Sequence, residues 1–287
     1  MYEVAVVGAA GFLGAAAMAA FKEAGIQAKG YTLDEPLFAD EALDPAARDV
    51  RTVVWCASRI NPRVAHERPD FIDADRSDLD RALGAFALLD APPRVVLMSS
   101  GGTVYGAPSL PPFAEDLETH PVNEYGAAKL AIEEHVRASG LESVSLRTAN
   151  AYGPGQRPAP GQGVLAHWME AVLGGGEVHL YGDADATRDY VYVDDIAAAI
   201  VAAHLADAPP PVVNVGTGIP TTLDELLGAL EFAVAPARFD TVRHPARDTD
   251  TAHSTLDVSL ARDALGWRPE VFLNEGVART WAWRTSR

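Results

Sequence analysis

VVGAAGFLG, residues 6–14, begins inside the apolar run EVAVVG (3–8) and leads into the Ala-rich stretch AAAMAAFKEAG (15–25). The first run has the unbroken apolar character of a strand buried on both faces, and the second has helical composition and stops at Gly25. Three glycines therefore fall between a strand and a helix, each with its own task. Gly8 permits the tight turn, Gly11 lets backbone approach a pyrophosphate, and Gly14 lets the helix pack closely on the strand. The free N–H groups and positive dipole end of that helix suit phosphate oxygens. Glycine triplets occur in many turns; the strand before this one and the helix after it are the context that favours a dinucleotide site. Gly8, Gly11, Phe12, Leu13 and Gly14 are its cofactor-binding candidates.

The alternation continues along the chain. RTVVWCAS (51–58), RVVLMSS (94–100) and SVSLRTAN (143–150) read as strands, with helices over DLDRALGAFALLDA (78–91) and EYGAAKLAIEEHVRASG (124–140). Repetition of strand, helix and strand predicts an α/β protein with a Rossmann-type, doubly wound parallel sheet. After Tyr152 the texture is mixed: a Gly/Pro-rich loop GPGQRPAPGQG (153–163), a short strand EVHLYG (177–182), and APPPVVNVG (208–216) as a strand returning to the main sheet. The expected division is a dinucleotide-binding domain over 1–150, rejoined by 185–215. A smaller mixed α/β substrate domain is expected from 151–184 and 216–287.

Bulk properties limit the partners. The chain has 287 residues, 48% hydrophobic and 22% charged, ordinary values for a protein with a proper core. Its net charge of −17 reflects 40 acidic against 23 basic residues, which disfavours nucleic-acid backbones and anionic membrane surfaces. An anionic small ligand then depends on local arginines or helix N-termini. Cys56 is the only cysteine. It follows VVW and reads as a small buried side chain, so a reducing, cytoplasmic setting is expected. GFLGAAAMAAF (11–21) lacks the basic flank of a signal peptide, and no apolar run approaches the roughly 20 residues of a bilayer span. No metal ligand set is assigned.

About 20 positions beyond the glycines, an acidic residue grips the adenosine ribose and selects NAD. Asp34 in GYTLDEP lies near that distance, just past Thr32 at the apparent strand end. No arginine is at hand for a 2′-phosphate, although Lys29 has the charge for one. NAD is the expected cofactor, with NADP still open. Tyr125 and Lys129 in EYGAAK stand at i and i+4, on one helix face. A free tyrosine titrates near pH 10, and a neighbouring ammonium or oxidised nicotinamide ring stabilises its phenolate. An ordinary exposed helix face has the same spacing.

In order, VVGAAGFLG, SSGGTVYG (99–106) and YGAAK resemble the extended short-chain dehydrogenase/reductase family, the NAD-dependent nucleotide-sugar epimerases, dehydratases and reductases. SLRTANAYGPGQ (145–156), YGDADATRDYVYVDDIAAAI (181–200), NVGTG (214–218) and ARDALGWRP (261–269) carry the likeness over nearly the whole chain. The resemblance implies that Tyr125 is the acid/base and that Lys129 holds the nicotinamide ribose. Thr32, Asp34, Ala57, Ser58 and Ser99 fall along the cofactor by the same comparison, and Gly101, Asn150, Arg188 and Arg247 along the substrate. A planar guanidinium donates two parallel bonds to a diphosphate; an ion pair with Asp189 is the alternative use of Arg188. A nucleoside-diphosphate sugar is the implied substrate, and a homodimer through helices around Tyr125 the implied assembly.

Two departures stand out. The family carries Ser or Thr four positions before the VYG tyrosine, where this chain has Gly101. Ser100 and Thr103 are the adjacent hydroxyls that can replace it, Ser100 first, and Gly101 with Gly102 is expected to leave room near the nicotinamide. Asp75 in FIDADRSD stands where the family has an Asn that supports the lysine through water. The segment from Asp34 to Val53 is also short for the usual third strand, with Asp40 as a stand-in for the adenine-side acid. Dehydratases carry Asp-Glu before VYG and decarboxylases carry Glu; Gly102 and Thr103 disfavour both. TVYG resembles the UDP-glucose 4-epimerase-like members. Epimerisation at C4 through a transient keto-sugar thus ranks ahead of keto-sugar reduction with NAD(P)H, and a non-catalytic dinucleotide sensor third.

Overall fold

The computed structural model of the chain describes residues 2–106, 108–183, 185–245 and 253–286. Val4–Val7 is buried throughout, and consecutive side chains of a strand go to opposite faces. Val4 and Val6 join Val54, Val96, Leu146 and Val213 under Phe21 of helix Phe12–Glu23 and Ile196 and Ile200 of helix Val193–Leu205. Ala5 and Val7 join Val53, Trp55, Val95 and Leu97 under Leu79 and Phe86 of helix Asp70–Ala87 and Ile132 and Val136 of helix Glu124–Ala138. Both faces are covered, which is why these strands read as unbroken apolar runs.

Six parallel strands lie in the order Val212–Val215, Ser143–Thr148, Arg94–Ser100, Thr52–Trp55, Val4–Val7, Ala28–Tyr31. Chain order reverses at Val4–Val7, so a topological switch point falls between its C-terminal end and that of Thr52–Trp55. Open α/β sheets bind ligands at such a place. The run 208–216 does supply the far edge strand. Asp70–Ala87 starts earlier than the helix expected over 78–91, because Asp70 and Asp73 sit in its first turn against the positive dipole end.

A smaller lobe is built around Thr187–Tyr192, which pairs with Asn150–Tyr152, Pro220–Thr222 and His253–Ser254. Tyr152, Trp168, Met169, Tyr190, Leu226 and Val277 form its core. Ser259–Leu265 lies elsewhere than the sequence division places it: Ala261 and the following Trp267 pack into the core of the main sheet. No helix among the described residues is long and apolar enough to cross a membrane.

Beyond Ala28–Tyr31 the usual third strand is replaced. A hairpin, Phe38–Ala39 with Ala42–Leu43, turns through Asp40 and Glu41 at φ 47° and 69°. Asp40 thus serves the turn, where aspartate tolerates positive φ. Asp44 then caps the short helix Pro45–Ala47 through Ala46 N and accepts from Lys29 Nζ at 2.8 Å. That bond to Lys29 holds the Asp44 carboxyl below its ordinary range. A depressed folded-state value means that the stabilisation is present above the unfolded value, near pH 4, and is lost as pH falls through the folded one. Asp44→Asn is expected to be less stable than the parent at neutral pH. Denaturant unfolding on lowering the pH should bring the two curves together.

Candidate functional site

The glycine loop is pinned before it meets any ligand. Gly8 N and Ala9 N both donate to Tyr31 O, at 2.9 and 3.0 Å, and Gly11 N donates back to Gly8 O at 2.9 Å. Gly8 has φ 85°, and a Cβ there would lie 2.7 Å from Ala57 N. A Cβ on Gly14 would lie 2.2 Å from Gly8 O. Those two spaces can hold only backbone, so the loop stays flat against Ala57 at the switch point. Gly11 is the N-cap of Phe12–Glu23 and contributes no side-chain cap. The chain therefore fits the phosphates of a dinucleotide, which suit the helix's first N–H groups. Leu13 turns its side chain into the sheet core.

Tyr125 lies in the first turn of Glu124–Ala138, a helix capped by Asn123 Oδ1 accepting from Gly126 N at 2.9 Å. The Lys129 ammonium, one turn on, is buried, stands 5.6 Å from the Tyr125 ring centre and donates to Met98 O at 3.4 Å. Burial pushes the neighbouring Cys56 thiol up to about 12, with the charge of Lys129 opposing, so this cysteine stays protonated. The wall facing the helix is the turn Gly101–Val104. A Cβ on Gly126 would lie 2.2 Å from Thr103 O, so turn and helix touch backbone to backbone.

Within that wall the hydroxyls are paired: Thr103 Oγ1 donates to Ser100 Oγ at 2.9 Å. Gly101 leaves no room of the kind its sequence suggests. A Cβ there would meet Leu256 Cδ1 at 2.5 Å and Arg147 O at 3.0 Å, so an apolar side chain already fills the space. The opening is at Gly102, whose Cβ would have only Ser254 Oγ at 3.8 Å and Asn150 Nδ2 at 4.0 Å near it. Asn150 Nδ2 donates to Asp189 O at 3.1 Å, and Arg188 Nη1 to Thr187 O at 2.9 Å. The Asp189 carboxylate accepts from Thr217 Oγ1 at 2.6 Å and from Thr217 N at 2.8 Å. Arg247 lies outside the described residues.

Several polar groups are committed in ways that local sequence patterns conceal. Ser99 donates its hydroxyl to the buried Glu133 carboxylate, so its side chain belongs to the interior. Ser58 Oγ donates to Asp75 at 2.9 Å, and Arg59 reaches the same carboxylate through its backbone N and Nη1, each at 2.9 Å. Asp75 thereby fixes the loop after Thr52–Trp55. Thr32 Oγ1 accepts from Glu35 N at 3.1 Å, which leaves Asp34 exposed in a turn beyond the strand. Leu256, Glu133, Arg147 and Ser254 were not among the sequence candidates. Their partners lie far along the chain, and only the alternating phase of 95, 97 and 99 hints that Ser99 faces the Tyr125 helix.

Residues 4–216 match the model of the NAD dependent epimerase/dehydratase family. The UDP-glucose 4-epimerase of Mycolicibacterium smegmatis is 41% identical over 191 residues, 65% of this chain and 61% of that relative. The structure of the Thermotoga maritima UDP-glucose 4-epimerase with UDP-glucose is similar at a TM-score of 0.85 and 28% identity, covering 99% of this chain and 98% of that one. The Thermus thermophilus UDP-glucose 4-epimerase, in complex with NAD, has a TM-score of 0.84 and 29% identity over 99% of each chain. A glycine cradle at the switch point, a tyrosine–lysine pair on the facing helix and a family match across the main sheet agree, and the chain belongs to the NAD dependent epimerase/dehydratase family.

Proposed function

We propose that the protein is an NAD-dependent epimerase that inverts C4 of a UDP-linked sugar through a transient keto-sugar. The observation that carries this reading is the placement of Tyr125 and Lys129 on a helix packed against the 101–104 turn, at the switch-point end of the sheet. NAD, when bound, would supply a reversible hydride acceptor for the sugar carbon. Tyr125 takes the proton of the sugar hydroxyl as that carbon is oxidised and gives it back on reduction. Lys129, whose ammonium lies 5.6 Å from the Tyr125 ring centre, is the residue that would hold the nicotinamide ribose. The Ser100 hydroxyl, paired with Thr103 Oγ1, is the group offered to the reacting sugar oxygen. The gap above Gly102 offers the keto-sugar space to present its second face.

Gly8, Gly11, Phe12, Leu13 and Gly14 carry the pyrophosphate, with Thr32 and Asp34 at the adenosine ribose and Ala57, Ser58 and Ser99 bordering the nicotinamide half through backbone. Asn150 and Arg188, joined by Arg247, take the substrate diphosphate. NAD is favoured over NADP because Lys29, the nearby cation, is engaged by Asp44. The main sheet and its helices act as the dinucleotide domain and the smaller lobe as the substrate domain. A homodimer belongs to the same reading, through the exposed face of the Tyr125 helix that carries Ala127, Ala131, Glu134 and Ala138. A cytoplasmic setting agrees with the single free cysteine.

Denaturing the purified protein is expected to release one equivalent of NAD per chain. An empty protein that consumes NADPH with a keto-sugar is instead a reductase. Tyr125→Phe should lower kcat with UDP-glucose or UDP-galactose about 10²–10⁴-fold, the usual worth of a positioned acid/base. Ser100→Ala should cost about tenfold, one hydrogen bond's share. Restoring the family hydroxyl has the opposite of its naive effect: Gly101→Ser forces an oxygen and a Cβ onto Leu256. Overpacking of this kind costs about 1–3 kcal/mol, so thermal unfolding should fall to lower temperature with no gain in turnover.

A further inference from the structure

Behind the crevice wall runs a continuous buried polar chain. Ser99 Oγ donates to Glu133 Oε1. Arg147 donates to the same carboxylate through Nε at 3.1 Å and Nη2 at 2.8 Å. Its remaining arm, Nη1, donates to Tyr105 OH at 2.9 Å. Tyr105 OH then donates to Asn214 Oδ1 at 2.9 Å, and Asn214 Nδ2 donates to Phe113 O at 2.8 Å and Asp257 O at 3.1 Å. Ser99, Glu133, Arg147, Tyr105 and Asn214 are all buried.

The order of attachment along the chain matters. Ser99 and Tyr105 immediately flank the segment 100–104, which carries the Ser100–Thr103 hydroxyl pair and two consecutive glycines. Glycine has the widest backbone freedom of any residue, so this stretch orders itself poorly. One guanidinium binds both flanks, Tyr105 directly and Ser99 through Glu133. Its planar, rigid fork fixes the angle between those two contacts. Glu133 also stands one helical turn after Lys129, so the same carboxylate sets the rotation of the Tyr125 helix. Burying an ion pair is a poor source of stability, because desolvation offsets the attraction. A fully satisfied buried network instead selects one arrangement.

We propose that the Glu133–Arg147 pair is a positioning device that clamps the 100–103 turn at both ends and so aims the Ser100 hydroxyl, supplying the order that Gly101 and Gly102 remove. The aiming role rests on the epimerase reading; the clamp itself does not. Two variants, Glu133→Gln and Tyr105→Phe, are compared in the parent and in a Ser100→Ala background. The tyrosine variant keeps its ring and loses only the hydroxyl, which guards against a misfolded glutamine variant. In the parent each should lower kcat about tenfold, one oriented hydrogen bond's worth, with KM and bound NAD unchanged. In the Ser100→Ala background the further loss should stay below about twofold, because coupled sites are not additive. Amide hydrogen exchange over 99–106 should speed up in either variant. Equal losses in both backgrounds would overturn the aiming role, and unchanged exchange would overturn the clamp. A parent inactive on every UDP-sugar removes the epimerase reading, and with it the aiming role, while the exchange measurement still decides the clamp.

Discussion

The buried carboxylate of Asp189 is the point on which the smaller-lobe side of the crevice depends. It accepts from Thr217 N, Thr217 Oγ1, Gly218 N at 3.0 Å and Leu256 N at 3.4 Å, while Asn150 donates to its backbone carbonyl. Burial pushes its carboxyl above the ordinary range and these donors oppose the shift. Three segments that are distant in sequence thus close on one residue. Gly216 is part of the arrangement, since a Cβ there would lie 2.5 Å from Asp189 Oδ2. The bond to Leu256 N holds the backbone from which the Leu256 side chain covers Gly101. Asp195 repeats the device a few residues on, accepting from Glu270 N and Val271 N at 3.0 Å each. The sheet supplies rigid strand ends, and buried carboxylates tie the second lobe to them.

Much of this architecture was legible in sequence because its causes are local. The apolar run ending at Val7, the glycines that follow and the return strand near Val213 each obey rules that act over a few residues. Tyr125 and Lys129 were legible for the same reason, one helical turn fixing their common face. The missing third strand was visible only as a shortage of chain; the hairpin that replaces it and the Lys29–Asp44 bond depend on tertiary packing. In the RDYVYVDD segment the resemblance points to the arginine, yet Asp189 and Asp195 are the residues that hold the lobes together. That role could not be read because their partners, 217–218, 256 and 270–271, come later in the chain and in no fixed spacing.

Ser99 marks the boundary between the two cases. Its family position suggests the cofactor, while strand parity, with Val95 and Leu97 buried beneath the helices, points its hydroxyl inward. Parity is the stronger constraint, because Ser99 is paired in register with Arg147 and reversing one side chain there would break the ladder with Ser143–Thr148. The Ser99 hydroxyl is therefore committed to Glu133 in the interior.

The two departures from the family pattern bear on whether this is a working site. A site drifting out of use accumulates defects: a lost side chain leaves a cavity, and a new charge is left unpaired, each destabilising by about 1 kcal/mol or more. Neither defect is found. The space at Gly101 is filled by Leu256, and the Asp75 carboxylate is satisfied by Ser58 and by the backbone and side chain of Arg59. Each departure has a fitted partner, and Leu256 could not keep its position beside a larger residue at 101. A filled space and a paired charge at both positions weigh against the reading of a dinucleotide sensor that has lost its chemistry.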